Sequence, residues 1–378
     1  MSDSSQLDEQ IDFHYIDSDQ ALSASCQRWQ SADFIALDTE FIRTDTFYPI
    51  AGLLQVGCLG ETALIDPLEI ADWSPFLDLL RAPSITKVLH SCSEDFEVFL
   101  RLFDCVPTPV LDTQIGAALA GMGVGLSYQK LVLAVLDIHL EKGETRSDWL
   151  QRPLTDNQQL YAALDVFYLQ QIYPMLVARL EELGRTDWWQ QEGDLQVASS
   201  SPTPPELSYQ RLKSLWKLTP RQQLAARMLC EWRETEARRK DVPRGRILKD
   251  PICQEVARRM PDTTGALASV KDLSPGVVRR NGDTILSLIA AAKDVPEDEL
   301  PVLAERPLSR EQSQLVKSLR RCCEEVANEL ALPVEVLTRK RELEAVIRDG
   351  ELPADVPLWR RQLLTPCLES ANSSAGGE

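Results

Sequence analysis

Short apolar runs bounded by turn-forming residues crowd the first third of this 378-residue chain and then stop, which restricts its fold more than any other feature. The runs are FIALD (Phe34 to Asp38), LLQVGCL (Leu53 to Leu59), TALID (Thr62 to Asp66), TKVLHS (Thr86 to Ser91) and PVLDT (Pro109 to Thr113). Each has the length and residue types of a strand. Gly60-Glu61 is short enough to join the second and third as a hairpin, and the last two are each followed by a helix-like stretch. Three strands in quick succession, then strands alternating with helices, predict a mixed sheet with helices packed on it. The strongest helical pattern runs from Thr155 to Leu183, with Leu160, Leu164, Leu169, Ile172, Leu176 and Leu180 at helical spacing. Thr155 or Asp156 would cap its start and Gly184 its end.

Composition divides the rest. VASSSPTPPE (Val197 to Glu206) and VPEDELPVLAERP (Val295 to Pro307) read as linkers, and beyond the first the strand signals give way to amphipathic helices. The expected division is 1–196 for the mixed α/β domain, 197–206 for a linker and 207–294 for a helical domain. A second linker at 295–307, a further helical domain at 308–369 and a disordered tail at 370–378 complete it. No apolar run approaches membrane-spanning length. Nine cysteines without a CxxC spacing and only three histidines argue against a zinc ribbon or finger. The odd cysteine count and the lack of a leader-like N-terminus predict a reduced, cytoplasmic protein.

The net charge of −18 hides a partition: residues 1–204 carry −20, residues 205–294 carry +7 and residues 295–378 carry −5. One basic segment thus lies inside an acidic chain, as in a separate binding module or a segment that docks on its own acidic remainder.

Chemistry concentrates in the acidic part. In ALDTEF (Ala36 to Phe41), Asp38 and Glu40 project from one face of a strand. Two adjacent acids repel unless a cation or shared protons neutralise them, although a bare pair of this kind is more often a strand end surfacing into solvent. Asp95 opens a helix directly after the strand ending in His90, where layered α/β folds build sites; Ser93 reads as that helix's N-cap. Tyr161 and Asp165 stand four apart on one face of the long helix, which Leu160, Leu164 and Leu169 would hold on the sheet. Asp112 also ends a strand, and capping the helix from Gln114 is its favoured role.

Asp38 and Glu40 in ALDTEF, Asp95 in HSCSEDFEVF, and Tyr161 with Asp165 in YAALDVFYL resemble the three exonuclease motifs of the DEDD superfamily, in its tyrosine subgroup. TRSDW (Thr145 to Trp149), Arg152-Pro153-Leu154 and FYPIAGLLQVG (Phe47 to Gly57) are similar to the ribonuclease D family. From about Tyr209 to Ala292 the basic segment is similar to the helicase-and-RNase-D C-terminal (HRDC) domain, and the region ending in PLWRRQLL (Pro357 to Leu364) resembles a degenerate second copy.

The resemblance implies a ribonuclease H-like mixed sheet with flanking helices, followed by all-α HRDC-type domains. It implies a 3′-to-5′ exoribonuclease that releases 5′-mononucleotides with two divalent ions, Mg²⁺ or Mn²⁺, held by Asp38, Glu40, Asp95 and Asp165. Tyr161 would orient the attacking water, and Thr39, Phe41 and His90 are candidates for touching the terminal nucleotide. The implied partner is RNA with a free 3′ end, transfer-RNA precursors and small structured RNAs among them. The basic helices would hold phosphates through some of Arg238, Arg239, Lys240, Arg244, Arg246, Lys249, Arg279 and Arg280. A DNA 3′-to-5′ exonuclease of proofreading type and a non-catalytic RNA-binding scaffold are the alternatives.

Overall fold

The computed structural model describes residues 11–140, 143, 147–301 and 303–375, with side chains to 369. The chain forms two compact units, one of residues 1–42, 49–201 and 309–378 and the other of residues 43–48 and 202–308. The expected mixed sheet is the centre of the first unit. Its strands are β1 (His14–Ile16), β2 (Phe34–Ile42), β3 (Ile50–Cys58), β4 (Glu61–Ile65), β5 (Thr86–Leu89) and β6 (Val110–Asp112), in spatial order β1-β4-β3-β2-β5-β6. β3 runs antiparallel to β2 and β4, and the other pairings are parallel. β1 has no counterpart among the apolar runs, because His14 to Ile16 is too short to show an alternation. The β3–β4 turn is Leu59-Gly60 rather than Gly60-Glu61: both turn residues have positive φ, 53° and 81°, and Glu61 already pairs with Cys58. A positive φ at both centres is what a two-residue hairpin needs for its twist to match the strands.

Helices cover both faces. α1 (Asp19–Trp29), α2 (Ser74–Arg81) and α3 (Ser93–Phe103) lie in sequence before α4 (Thr113–Leu119), α5 (Tyr128–Leu136), the long α6 (Asp156–Glu182) and α7 (Thr186–Ser199). One core gathers Leu37, Leu54, Val56, Ile65 and Phe99. The opposite face packs α6 against the sheet through Leu53, Leu64, Ala162 and Ala163, continued by Ala36, Val88, Val166 and Leu169. The sheet contact of α6 near Asp165 is therefore made by small Ala162 and Ala163, while Leu160 and Leu164 are only half-buried. Small residues let the helix axis approach the strands closely, and Gly57 continues this: a Cβ there would meet the Gln170 side chain at 2.6 Å. Thr155 caps α6 in a reciprocal capping box with Gln158, as its position predicts.

The second unit is helical: α8 (Pro220–Lys240), α9 (Arg244–Ile247), α10 (Asp250–Arg259), α11 (Thr264–Ala268) and α12 (Pro275–Asp294). Its core collects Leu229, Cys253, Val256, Ile285 and Ile289, with Leu300, Leu303 and Ala304 of the second seam packed against it. Residues 43–48 belong here too: Asp241 accepts hydrogen bonds from the Phe47 and Tyr48 backbone N–H groups at 3.0 Å each.

The last helices are α13 (Arg310–Glu329), α14 (Val334–Leu337), α15 (Lys340–Asp349) and α16 (Leu358–Ala375). The expected division sets them apart, yet they cluster with the sheet-bearing unit. The physical reason is a buried seam on α7, where Trp359 stacks on Trp188 with ring centroids 4.6 Å apart and donates to Glu192 at 3.1 Å. Arg360 bridges Glu192 at 3.2 Å and Glu342 at 3.1 Å. Three other expectations change here. α7 extends to Ser199, into the first seam, and α16 continues to Ala375, into the stretch expected to be disordered. Cys322 and Cys367 form a disulfide between α13 and α16, whose packing brings their Cα atoms to 5.6 Å, in place of the expected free thiols.

Candidate active site

β2 ends in the two acids. Asp38 pairs in register with Gln55 and Glu40 with Leu53, and the register shifts between Glu40 and Phe41. A shift at this point re-aims the strand end, as bulges beside active sites do. Thr39 points to the other face and donates its hydroxyl hydrogen to Asp95 Oδ1 at 2.5 Å, which ties the first acidic segment to the second. Asp95 sits in the first turn of α3, whose N-cap is Cys92 rather than Ser93, without a side-chain cap.

Asp112 sets the turn that presents Asp95. Ser91 adopts φ 61°, a left-handed conformation. The Ser91 and Cys92 N–H groups donate to the Asp112 carboxylate at 2.9 and 3.2 Å, and Gln114 N–H donates at 2.8 Å as the expected cap. Gln196 adds a fourth donor at 3.0 Å, so Asp112 is fully engaged within the fold.

On α6, Asp165 and Tyr161 face the strand end. The Tyr128 hydroxyl lies 2.5 Å from the Asp165 carbonyl oxygen and 3.0 Å from that of Leu164, pinning the turn that carries the acid. Asp38, Glu40 and Asp165 each offer an oxygen, and these three lie within 4.8 Å of one another. The cleft above them is also lined by Asp95, Tyr161 and His90 and by no Lys or Arg among the described residues.

The electrostatics follow from that composition. Protein atoms surround the acids even where part of their surface opens to the cleft. Burial, then the charges of Asp95, Asp165 and Glu40, raise the Asp38 carboxyl well above its ordinary range. Glu40 is pushed up to about 9 by burial and by Asp165 and Asp95. Asp165 rises to about 8 through burial, although a hydrogen bond shared with Asp38 opposes the rise. Asp95 rises only to about 6, because burial is countered by the Thr39 hydrogen bond. Burial and the same acids raise Tyr161, which stays a neutral phenol at ordinary pH. Oxygen donors this close, with no basic side chain between them among the described residues, fit a hard divalent cation.

The substrate candidates divide. Phe41 and Thr39 line the cleft, although the Thr39 hydroxyl is committed to Asp95. Both ring nitrogens of His90 are engaged inside the fold, with Thr113 Oγ1 and the Leu126 carbonyl oxygen at 3.0 Å each. Arg244, Arg246 and Lys249 belong to the second unit. Arg244 is built into it, bonded to the Glu234 carboxylate at 2.5 and 2.8 Å and stacked on the Phe47 ring. Arg246 pairs with Asp45, and Lys249 is exposed. Thr145 and Arg146 of TRSDW lie outside the described residues. Sequence reasoning missed Tyr128, Gln129 and Ser91 in the cleft wall; Tyr128 follows a glycine-rich stretch and no pattern marks it.

Comparison with known proteins decides the family. The model of the 3′-5′ exonuclease family matches residues 13–181, and that of the HRDC domain matches 222–289. Ribonuclease D of Pseudomonas paraeruginosa is 44% identical over 371 residues, covering 96% of this chain and 98% of that protein. The chain belongs to the ribonuclease D family. Ribonuclease D of Escherichia coli is 36% identical over 375 residues. Its crystal structure, described as an exoribonuclease involved in structured RNA processing, matches with a TM-score of 0.90 over 96% of this chain and 99% of that one. This member of the ribonuclease D family is accordingly a 3′-5′ exoribonuclease, with a mixed-sheet exonuclease domain followed by a helical HRDC domain.

Proposed function

We propose that Asp38, Glu40, Asp95 and Asp165 hold two divalent cations, Mg²⁺ or Mn²⁺, and that the enzyme removes 5′-mononucleotides stepwise from RNA 3′ ends by phosphodiester hydrolysis. The observation that carries this reading is the cluster of Asp38, Glu40 and Asp165 oxygens within 4.8 Å of one another. Asp38, Glu40 and Asp165 would hold the cations directly, and Asp95, with one oxygen kept by Thr39, would contribute from the side of α3. Bound cations supply an activated water at neutral pH and charge stabilisation at the leaving oxygen. Tyr161 remains a phenol and acts by hydrogen bonding, holding the attacking water in line rather than removing its proton. Phe41 and Thr39 line the terminal-nucleotide pocket, while His90 shapes its wall.

The substrates are transfer-RNA precursors and other small structured RNAs, in keeping with the role described for the Escherichia coli relative. Phosphate contacts come from the second unit, through the cations that its fold leaves accessible. Arg238 and Arg244 are committed to Glu234, whose side chain is only 2% exposed. Arg239, Lys240 and Arg246 make only surface pairs, which exchange readily for phosphate. With Lys249, Arg279 and Arg280 they form the binding set. The test uses end-labelled RNA and DNA, with and without EDTA, beside Asp38→Asn. Stepwise shortening of the RNA from its 3′ end, abolished by EDTA and by the substitution, is expected; shortening that survives either treatment overturns the metal mechanism.

A further inference from the structure

Gln55 is fully buried, and neither its Nε2 nor its Oε1 has a hydrogen-bond partner among the described residues. It lies in mid β3, opposite Asp38 on β2 and Leu64 on β4. Residues directly opposed in an antiparallel pair share a face, with Cβ atoms about 4.5–5.5 Å apart. The Gln55 side chain therefore lies on the face that carries Asp38 and Glu40. Its apolar neighbours on that surface are Leu53, Leu64, Ala162 and Ala163 in one cluster and Ala36 and Val166 in the next. A leucine or methionine would fill such a place without leaving an amide unbonded, and an unpaired buried amide is costly. Asp38 is the polar side chain directly opposed to it.

We infer that Gln55 is a positioning residue for Asp38: the two are not hydrogen-bonded in the structure, and with cations bound its amide N–H would hold the Asp38 oxygen turned away from them. This rests on the metal reading above. A metal-binding carboxylate has two oxygens to orient, and a donor behind the ligand fixes its rotamer and keeps it ionised. Thr62 provides an internal control. Its hydroxyl is also buried and unpartnered, and it faces α6 too, but it stands opposite Gly57, one step further along the strand from Asp38.

The experiment measures Mn²⁺ affinity by electron paramagnetic resonance, together with kcat, KM and the melting temperature in EDTA. The full-length parent is compared with Gln55→Met, Gln55→Asn, Thr62→Val and Asp38→Asn. Gln55→Met, close to isosteric but without the amide, is expected to bind Mn²⁺ about 10-fold more weakly or worse, the usual cost of removing a partner behind a metal ligand. It should lower kcat at limiting Mn²⁺, leave KM for RNA unchanged and not lower the melting temperature in EDTA. Gln55→Asn keeps an amide in place for folding but withdraws it by one methylene, and is expected to weaken Mn²⁺ binding as well. Thr62→Val should bind like the parent. Gln55 variants with parental Mn²⁺ affinity, or with a lowered melting temperature as their only change, overturn the inference. A parent that binds no Mn²⁺, or an Asp38→Asn variant that binds as the parent does, overturns the metal reading itself.

Discussion

Two groups of enclosed acids in this chain are treated in opposite ways. Glu234 in the helical unit is almost fully buried and meets Arg238 at 2.9 Å and Arg244 at 2.5 Å, which hold its carboxyl below the ordinary range despite burial. Asp38, Glu40 and Asp165 crowd together in a cleft that no basic side chain lines among the described residues, and all three are raised. Asp66 and Glu342 are likewise paired with arginines, Arg152 at 2.5 Å and Arg360 at 3.1 Å. For Glu234, Asp66 and Glu342 the chain supplies the cation; on the proposed function, Asp38, Glu40 and Asp165 leave it to come from solution, and binding would relieve the repulsion among them.

The largest expected effect is on activity. Asp38→Asn should lower the exonuclease rate by about 10³-fold or more, since a displaced cation forfeits several kcal/mol of charge stabilisation; single-turnover degradation of end-labelled RNA reads this directly. Retention of even a tenth of the parent rate would remove Asp38 from the centre of the account.

The contrast also predicts opposite signs for the same chemical change. Glu234→Gln should destabilise the protein by about 2 kcal/mol, because two guanidinium groups lose a buried partner. In EDTA at pH 8, Glu40→Gln should instead raise the melting temperature by about 2–4 °C, the shift expected for each 1 kcal/mol regained in a domain of this size. Parallel thermal melts check both, and equal signs would break the comparison.

Next in size is the pH dependence. Folding lifts Glu40 from 4.5 to about 9 and Asp165 from 3.8 to about 8. Between these limits the cation-free fold holds protons that the unfolded chain has lost, so the contribution of these two groups to stability is greatest in acid and falls as pH rises toward 8–9. Mn²⁺ competes with those protons, so its affinity should rise across pH 6 to 9 with protons released on binding. Calorimetric titration in buffers of different ionisation enthalpy measures that release.

The smallest effect concerns binding. Replacing Arg279 and Arg280 together by alanine should weaken RNA binding uniformly across sequences and lower the slope of log affinity against log salt by about 2. The paired Arg244 should instead affect folding when it is replaced.

The sheet and the long capped helix were legible because apolar runs and a 3.6-residue period survive in the sequence unchanged. The acids were legible as residues, and the register of β2 with β3 and the Tyr128 bond to the Asp165 carbonyl are what bring them together. The three residues of β1 carry too little pattern to be seen, and the hairpin turn was misplaced by one position because Leu59, an apolar residue, takes the left-handed conformation there. Trp188 and Trp359 gave no local sign of packing on each other across about 170 residues. Charge counting located the basic segment, but it could not show that buried Glu234 claims two of its arginines.

The most direct test of the central claim is the melting temperature of the purified enzyme in EDTA and in rising Mn²⁺, beside Asp38→Asn. The parent should gain stability continuously with Mn²⁺, as a ligand bound only by the folded state requires. Asp38→Asn should start higher in EDTA and gain little. A parent whose melting temperature ignores Mn²⁺ while its exonuclease activity persists in EDTA would contradict the account.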